Sequence, residues 1–154
     1  GIASHAPRVR LYLSRNHVRP GSRGVVNESE ILEILQNEHG FVVLTGEEPL
    51  DVTIKLFSSA EIVVGPHGSM FANTIYCRSD CRIIEWCPAN RVDYSFMRRP
   101  KPATDYKHCI VDADNSYNII VGKHLIDEAT NALETRVTQH VPAVKIVNYR
   151  NGFL

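Results

Sequence analysis

The sequence predicts an α/β fold: a Rossmann-like parallel sheet with helices on both faces. Three observations predict it. Strand-like and helix-like segments alternate from residue 8 to about residue 136 with short links between them. Ile62, Val63 and Val64 are consecutive and β-branched, which suits a strand covered on both faces. That strand runs through Gly65-Pro66-His67-Gly68-Ser69 directly into a helix-like stretch. Such alternation argues for parallel strands joined by crossovers. No linker divides the chain, so residues 1–154 read as one domain, with a core over about 8–136 and a tail over 137–154.

The elements follow in order. Residues 9–13 alternate in strand-forming side chains and make the first strand. Ser14-Arg15 ends it. A polar loop over 16–26 follows, with Pro20, Gly21 and Gly24, and Arg15, Arg19 and Arg23 give this region a local cationic excess. Arg19 reads as a solvated loop residue. Asn27 is placed to cap the next helix, with Glu30 as its capping-box partner. Ile31, Leu32 and Leu35 form its buried face and Ile34 widens it. Gly40 ends that helix, and residues 41–44 make the second strand. Pro49 opens a helix to about Ser59 with Leu50, Ile54 and Phe57 on one face. The third strand, 62–64, is stopped by Gly65 and Pro66.

Ser69 then caps a helix running to about Tyr76. Its free N–H groups and positive dipole end lie at the C-terminal edge of the sheet, where open α/β sheets bind ligands and where phosphate is favoured. His67 at the lip adds a donor. Gly68 lets the backbone approach whatever sits above it. Residues 82–86 form a fourth strand, and Glu85 at its end points to the same crevice as His67. A looser connection over 89–107 leads to a fifth strand at 108–111. Residues 123–136 make a helix with Leu125, Ile126, Ala129 and Leu133 inside. The tail carries a strand-like stretch at 144–147.

Composition removes several classes. Seventeen Lys plus Arg balance seventeen Asp plus Glu, which gives no support to general nucleic-acid or membrane-surface binding. No apolar run approaches the ~20 residues of a membrane span. There is no GxGxxG after the first strand, no Walker GxxxxGK[ST] and no GxSxG elbow. Cys77, Cys81, Cys87 and Cys109 fit either free thiols or disulfides, with Cys77 and Cys81 near enough for a loop-closing bridge. Their spacing with His67 matches no usual zinc site, so no metal is expected. Asp112-Ala113-Asp114 has the letters of a metal-binding DxD but reads as a turn. Nothing at the N-terminus resembles a signal peptide, and the compartment stays open: Golgi or endoplasmic reticulum lumen in a eukaryote, cytoplasm in a bacterium or virus.

Four signatures fall in order along the chain: Leu13-Ser14-Arg15, Arg23-Gly24-Val25-Val26-Asn27-Glu28, Gly65-Pro66-His67-Gly68-Ser69 to Asn73, and Ile83-Ile84-Glu85. Together they resemble the C-terminal half of glycosyltransferase family 61, over about residues 9–88 with continuation to 136. The resemblance implies the donor-binding domain of a two-domain GT-B enzyme that transfers a sugar from a nucleotide diphosphate, UDP foremost, to a glycan or protein hydroxyl with inversion. It implies that Arg15 and Arg23 neutralise the donor diphosphate, which a guanidinium can engage bidentately. His67 and the N–H groups of Gly68 and Ser69 would hold the same diphosphate. Asn73 would touch phosphate or brace the turn, and Glu85 would accept from ribose or sugar hydroxyls or pair with an arginine. Asn27 reads as structural through its cap; Glu28 gains from the helix dipole or orients Arg15 or Arg23. No cofactor is implied, the general base is not identified, and an N-terminal domain or second chain would supply the acceptor side. The alternative is a catalytically silent module that keeps the fold and binds a nucleotide or a protein.

Overall fold

The computed structural model describes residues 8–16, 21–97 and 105–137, with side chains of the last helix through Asn131. Arg19 and the 144–147 stretch lie outside the described residues.

Five strands form one sheet: β1 (Val9–Leu13), β2 (Val42–Leu44), β3 (Ala60–Pro66), β4 (Arg82–Pro88) and β5 (Asp105–Val111). Their order is β2-β1-β3-β4-β5 and every pairing is parallel. The order reverses between β1 and β3, which makes the C-terminal ends of those two strands the topological switch point of the sheet.

Alternation along each strand sorts the core into two layers. Tyr12, Ile62, Val64, Ile84 and Trp86 pack on one face with Ile31 and Leu35 of α1 (Glu28–Leu32) and its π-helical continuation Glu33–Glu38. Leu125, Ile126 and Ala129 of α3 (Lys123–Val137) join them. Leu11, Leu13, Val63 and Ile83 pack on the other face with Leu56 and Phe57 of α2 (Leu50–Ser58) and Phe71 of a 3₁₀-helix, Ser69–Tyr76. Helices therefore cover both faces. Ile62, Val63, Val64, Ile83 and Ile84 are buried to within 1 %, each contributing about 1.5–3 kcal/mol.

Several local expectations are corrected. β3 does not stop at Gly65 but runs to Pro66, because Gly65 pairs with Glu85 and Pro66 with Trp86. A Cβ at Gly65 would lie 2.6 Å from the Leu13 carbonyl oxygen, so the residue is glycine to let β1 and β3 approach. Leu50 is 65 % exposed rather than on the inner face of α2; Leu56 takes its place. Asn27 sits at the start of α1 but makes no side-chain cap. Its carboxamide instead accepts from Val121 N–H (3.0 Å) and donates to Val121 C=O (2.9 Å), tying α1 to the segment before α3. Glu30 is exposed and completes no capping box. All four cysteines are free and buried.

Candidate functional site

The C-terminal ends of β1, β2 and β3, with the loop after β4, surround a cavity of about 720 Å³. Leu13 and Arg15 line it from the end of β1, Gly46 and Glu47 from beyond β2, and Pro66 to Met70 from beyond β3. Asp93 and Phe96 of the loop after β4 close one side, and Arg23 reaches it from the 21–26 loop. The cavity therefore sits at the switch point, where the diverging crossovers leave a crevice. Arg15, Arg23, His67, Gly68 and Ser69 come together on its wall; Asn73 and Glu85 do not line it.

Arg15 lies across the His67 turn. A Cβ on Gly68 would fall 3.0 Å from Arg15 Cδ and 3.2 Å from Cζ. The bare glycine is thus what lets the arginine lie down on the turn. Gly68 precedes the 3₁₀-helix with extended backbone (φ 176°). Phe71 N–H bonds Gly68 C=O at 3.0 Å, which leaves the amides of Ser69 and Met70 ahead of the first helical bond. Ser69 itself is the first residue of that helix and not its cap, correcting the sequence expectation, and the helix is 3₁₀ rather than α.

Arg23 is held by an unusual backbone. Its φ is +55°, the left-handed region that non-glycine residues rarely occupy. The conformation costs roughly 1–3 kcal/mol and persists because neighbours impose it. Asn118 donates to Gly21 C=O (2.9 Å) and accepts from Gly24 N–H (3.0 Å). Asn16 brackets Val25 with two bonds of 2.9 Å, and Arg23 N–H itself reaches Ser116 C=O. The second arginine of the wall is therefore presented by a clamped loop.

Glu85 departs from its expected role. It is fully buried, and neither an open-facing carboxylate nor an arginine partner. One oxygen meets His67 Nδ1 at 2.5 Å and the other accepts from the Tyr106 hydroxyl. His108 Nε2, 3.7 Å from Glu85, donates to Asp93 C=O at 2.9 Å. His67 Nε2 lies on the cavity side, 3.6 Å from Asp93 Oδ2, and Phe96 packs on the ring with centroids 5.4 Å apart. The Ser95 N–H holds the Asp93 carboxyl below the usual carboxylate range, with the Ser95 side chain, His67 and Arg91 adding to it against a small opposing effect of burial. Burial pushes the Cys87 thiol up.

Glu28 is likewise internal. It accepts from Tyr12 Oη (2.9 Å) and Ser14 Oγ (2.8 Å), so it fastens β1 to α1 and its carboxylate turns inward rather than toward the arginines. Burial and the adjacent Glu28 charge keep the Tyr12 phenol protonated well beyond its ordinary range.

Residues 1–84 match the family model described as Glycosyltransferase 61. The chain belongs to the glycosyltransferase 61 family. No curated protein matches it significantly. In this glycosyltransferase 61 chain the matched stretch carries Arg15, Arg23 and the His67 turn, while Glu85, Asp93 and Phe96 lie just beyond it.

Sequence reasoning missed Asp93, Phe96 and Tyr106, having read 89–107 as connection, and placed His108 on the fifth strand without a role. A period-2 reading extended back from His108 would have put Tyr106 on the same strand face. Only the register, in which Glu85 pairs with His108, brings that face to Glu85. Among the described residues no group of three or more His, Cys, Asp or Glu is placed to hold a metal ion. Asp114 of the Asp112-Ala113-Asp114 run accepts from the N–H groups of Ser116 and Asn118 and so forms a turn. Among the same residues no helix is long and apolar enough to cross a membrane.

Proposed function

We propose that this chain is the nucleotide-sugar-binding domain of a GT-B-type glycosyltransferase, taking a UDP-sugar and passing its sugar to a glycan or protein hydroxyl with inversion. One observation carries the reading: two arginines and the His67 turn converge on a single cavity at the sheet's switch point. Its volume of about 720 Å³ lies within the range of ordinary small-molecule sites, roughly 300–1,000 Å³. Guanidinium groups and outward amides are what a diphosphate leaving group needs, since negative charge grows on it as the anomeric bond breaks. Arg15 and Arg23 engage the phosphates, and the Ser69 and Met70 amides receive oxygens at the helix start. His67 adds a ring nitrogen to the same wall. Because the arginines supply the positive charge, we assign the site no metal. The base that activates the acceptor hydroxyl belongs to an N-terminal domain or a partner chain in this reading.

The test is a thermal-shift panel of nucleoside diphosphates on wild type and His67→Ala. A ligand at a hundred times its Kd stabilises the fold by about 2.7 kcal/mol, or roughly 5–10 °C for a chain of this size. UDP is expected to give the largest shift and His67→Ala to reduce it. If no nucleotide moves the transition, the reading is wrong; if UDP binds but the full protein releases none of it from a UDP-sugar with acceptors present, the domain is a silent binder.

A further inference from the structure

Glu85 has no solvent exposure, and among the described residues no lysine or arginine pairs with it. Its compensation comes from donors: Tyr106 Oη on one oxygen and His67 Nδ1 on the other, at 2.5 Å. An ionised carboxylate only accepts, so the proton of that bond sits on Nδ1. His67 Nε2 is then the ring atom left for the cavity that His67 lines, with Asp93 Oδ2 3.6 Å from it: an acceptor in the neutral ring and a donor only in the imidazolium. Oxygens of a bound diphosphate also only accept.

We propose that Glu85 is the positioning residue of the anion site: by holding the proton on His67 Nδ1 it makes nucleotide-diphosphate binding at Nε2 conditional on uptake of one proton. The proton comes from solvent and ends on Nε2; no other bond changes. The resulting cation lies between the Glu85 carboxylate at Nδ1 and, at Nε2, the Asp93 carboxylate and the phosphate. Had Nδ1 been bare, Nε2–H would meet a phosphate at any pH. The inference rests on the nucleotide-diphosphate reading above.

Besides Arg23 and Glu47, which line the same cavity, the groups facing the ring are these. Glu85 comes from β4, Asp93 from the loop beyond it, and Arg15 from beyond β1 across Gly68; Tyr106 and His108 of β5 act through Glu85. Arg15 stays charged throughout, and Asp93, held low by Ser95, stays ionised above neutrality. Imidazoles are the side chains here whose ordinary range lies between about pH 5 and 8. Of the two, His67 lines the cavity and His108 does not.

The experiment is UDP titration calorimetry from pH 6 to 9 on wild type, Glu85→Gln and His67→Gln, with ¹⁵N spectra of the histidine rings. Titration of UDP itself is common to all three proteins, so differences in slope belong to the protein. Wild-type affinity is expected to fall up to tenfold more per pH unit than that of Glu85→Gln, and the His67 spectrum to show protonated Nδ1 in wild type and loss of that preference in the variant. A wild-type slope and ring spectrum in Glu85→Gln overturn the inference while leaving the nucleotide reading intact. UDP failing to bind wild type at any pH overturns both. Should Glu85→Gln not fold, the wild-type ring spectrum and His67→Gln decide together: a protonated Nδ1 with a slope reduced to that of UDP's own titration supports the inference, and a bare Nδ1 or a wild-type slope in His67→Gln ends it.

Discussion

Replacing Gly68 by alanine separates the site from the fold. The backbone at Gly68 is extended, a conformation any residue adopts, so alanine brings no backbone strain. The new methyl would instead sit 3.0 Å from Arg15 Cδ and 3.2 Å from Cζ. Its near neighbours all belong to one flexible side chain, which must lift off the turn. Arg15 then loses its place on the cavity wall. A hydrogen bond to a charged group contributes about 1.5–3 kcal/mol, so UDP affinity should drop about 10- to 150-fold. Stability should change little, by roughly 0.5 kcal/mol or about 2 °C in Tm. Gly65→Ala is the matched control three residues away. There the methyl meets Leu13 O at 2.6 Å and Leu13 N at 3.2 Å, backbone atoms of β1 that cannot step aside. Overpacking of that kind costs about 1–3 kcal/mol, so Gly65→Ala should melt several degrees lower. Calorimetry with UDP and differential scanning fluorimetry on both variants give the answer. Wild-type UDP affinity in Gly68→Ala, or a loss of stability equal to that of Gly65→Ala, would refute the argument that Gly68 exists to admit Arg15.

Two further predictions concern the supports of the site. Asn118→Ala removes the bonds to Gly21 and Gly24 that hold the Arg23 loop. It should cost about 1–3 kcal/mol and speed hydrogen exchange at the Gly24 amide; unchanged exchange there would show that the loop is held by something else. Acid should weaken the fold through three aspartates whose carboxyls lie below their usual range. At Asp80 burial pulls upward but the Arg8 and Arg78 hydrogen bonds exceed it, at Asp93 the Ser95 N–H dominates, and at Asp114 the Asn118 N–H does. A carboxyl depressed in the folded state stabilises above its unfolded value, about 3.9, and that contribution is lost as pH falls through the lower folded value. The Tm difference between pH 6 and pH 3 should therefore be smaller in Asp80→Asn with Asp114→Asn than in wild type, and an equal difference would assign the acid loss to other groups.

The sequence by itself determined that the strands form a parallel sheet and that Arg15, Arg23 and the His67 turn belong to the wall. Consecutive β-branched residues at 62–64 and alternation at 9–13 can bury their side chains only as covered strands, and parallel strands bring their C-terminal ends to one edge. Arg15 and His67 follow strands β1 and β3 within two residues, so their nearness follows from local pattern once the strands are named. Helix starts were less legible. The Asn27 carboxamide serves Val121, 94 residues away, and Ser69 opens a 3₁₀-helix rather than capping an α-helix. At Asn27 a tertiary partner displaces a local bond of similar strength. Only the tertiary structure decided what Glu85 does. A strand's sequence says which face a side chain takes but not which strand lies beside it, and it is the β4–β5 register that sets Tyr106 and His108 against that carboxylate. Buried completely, the glutamate meets the Tyr106 hydroxyl on one oxygen and the His67 ring on the other, partners that only the folded sheet supplies.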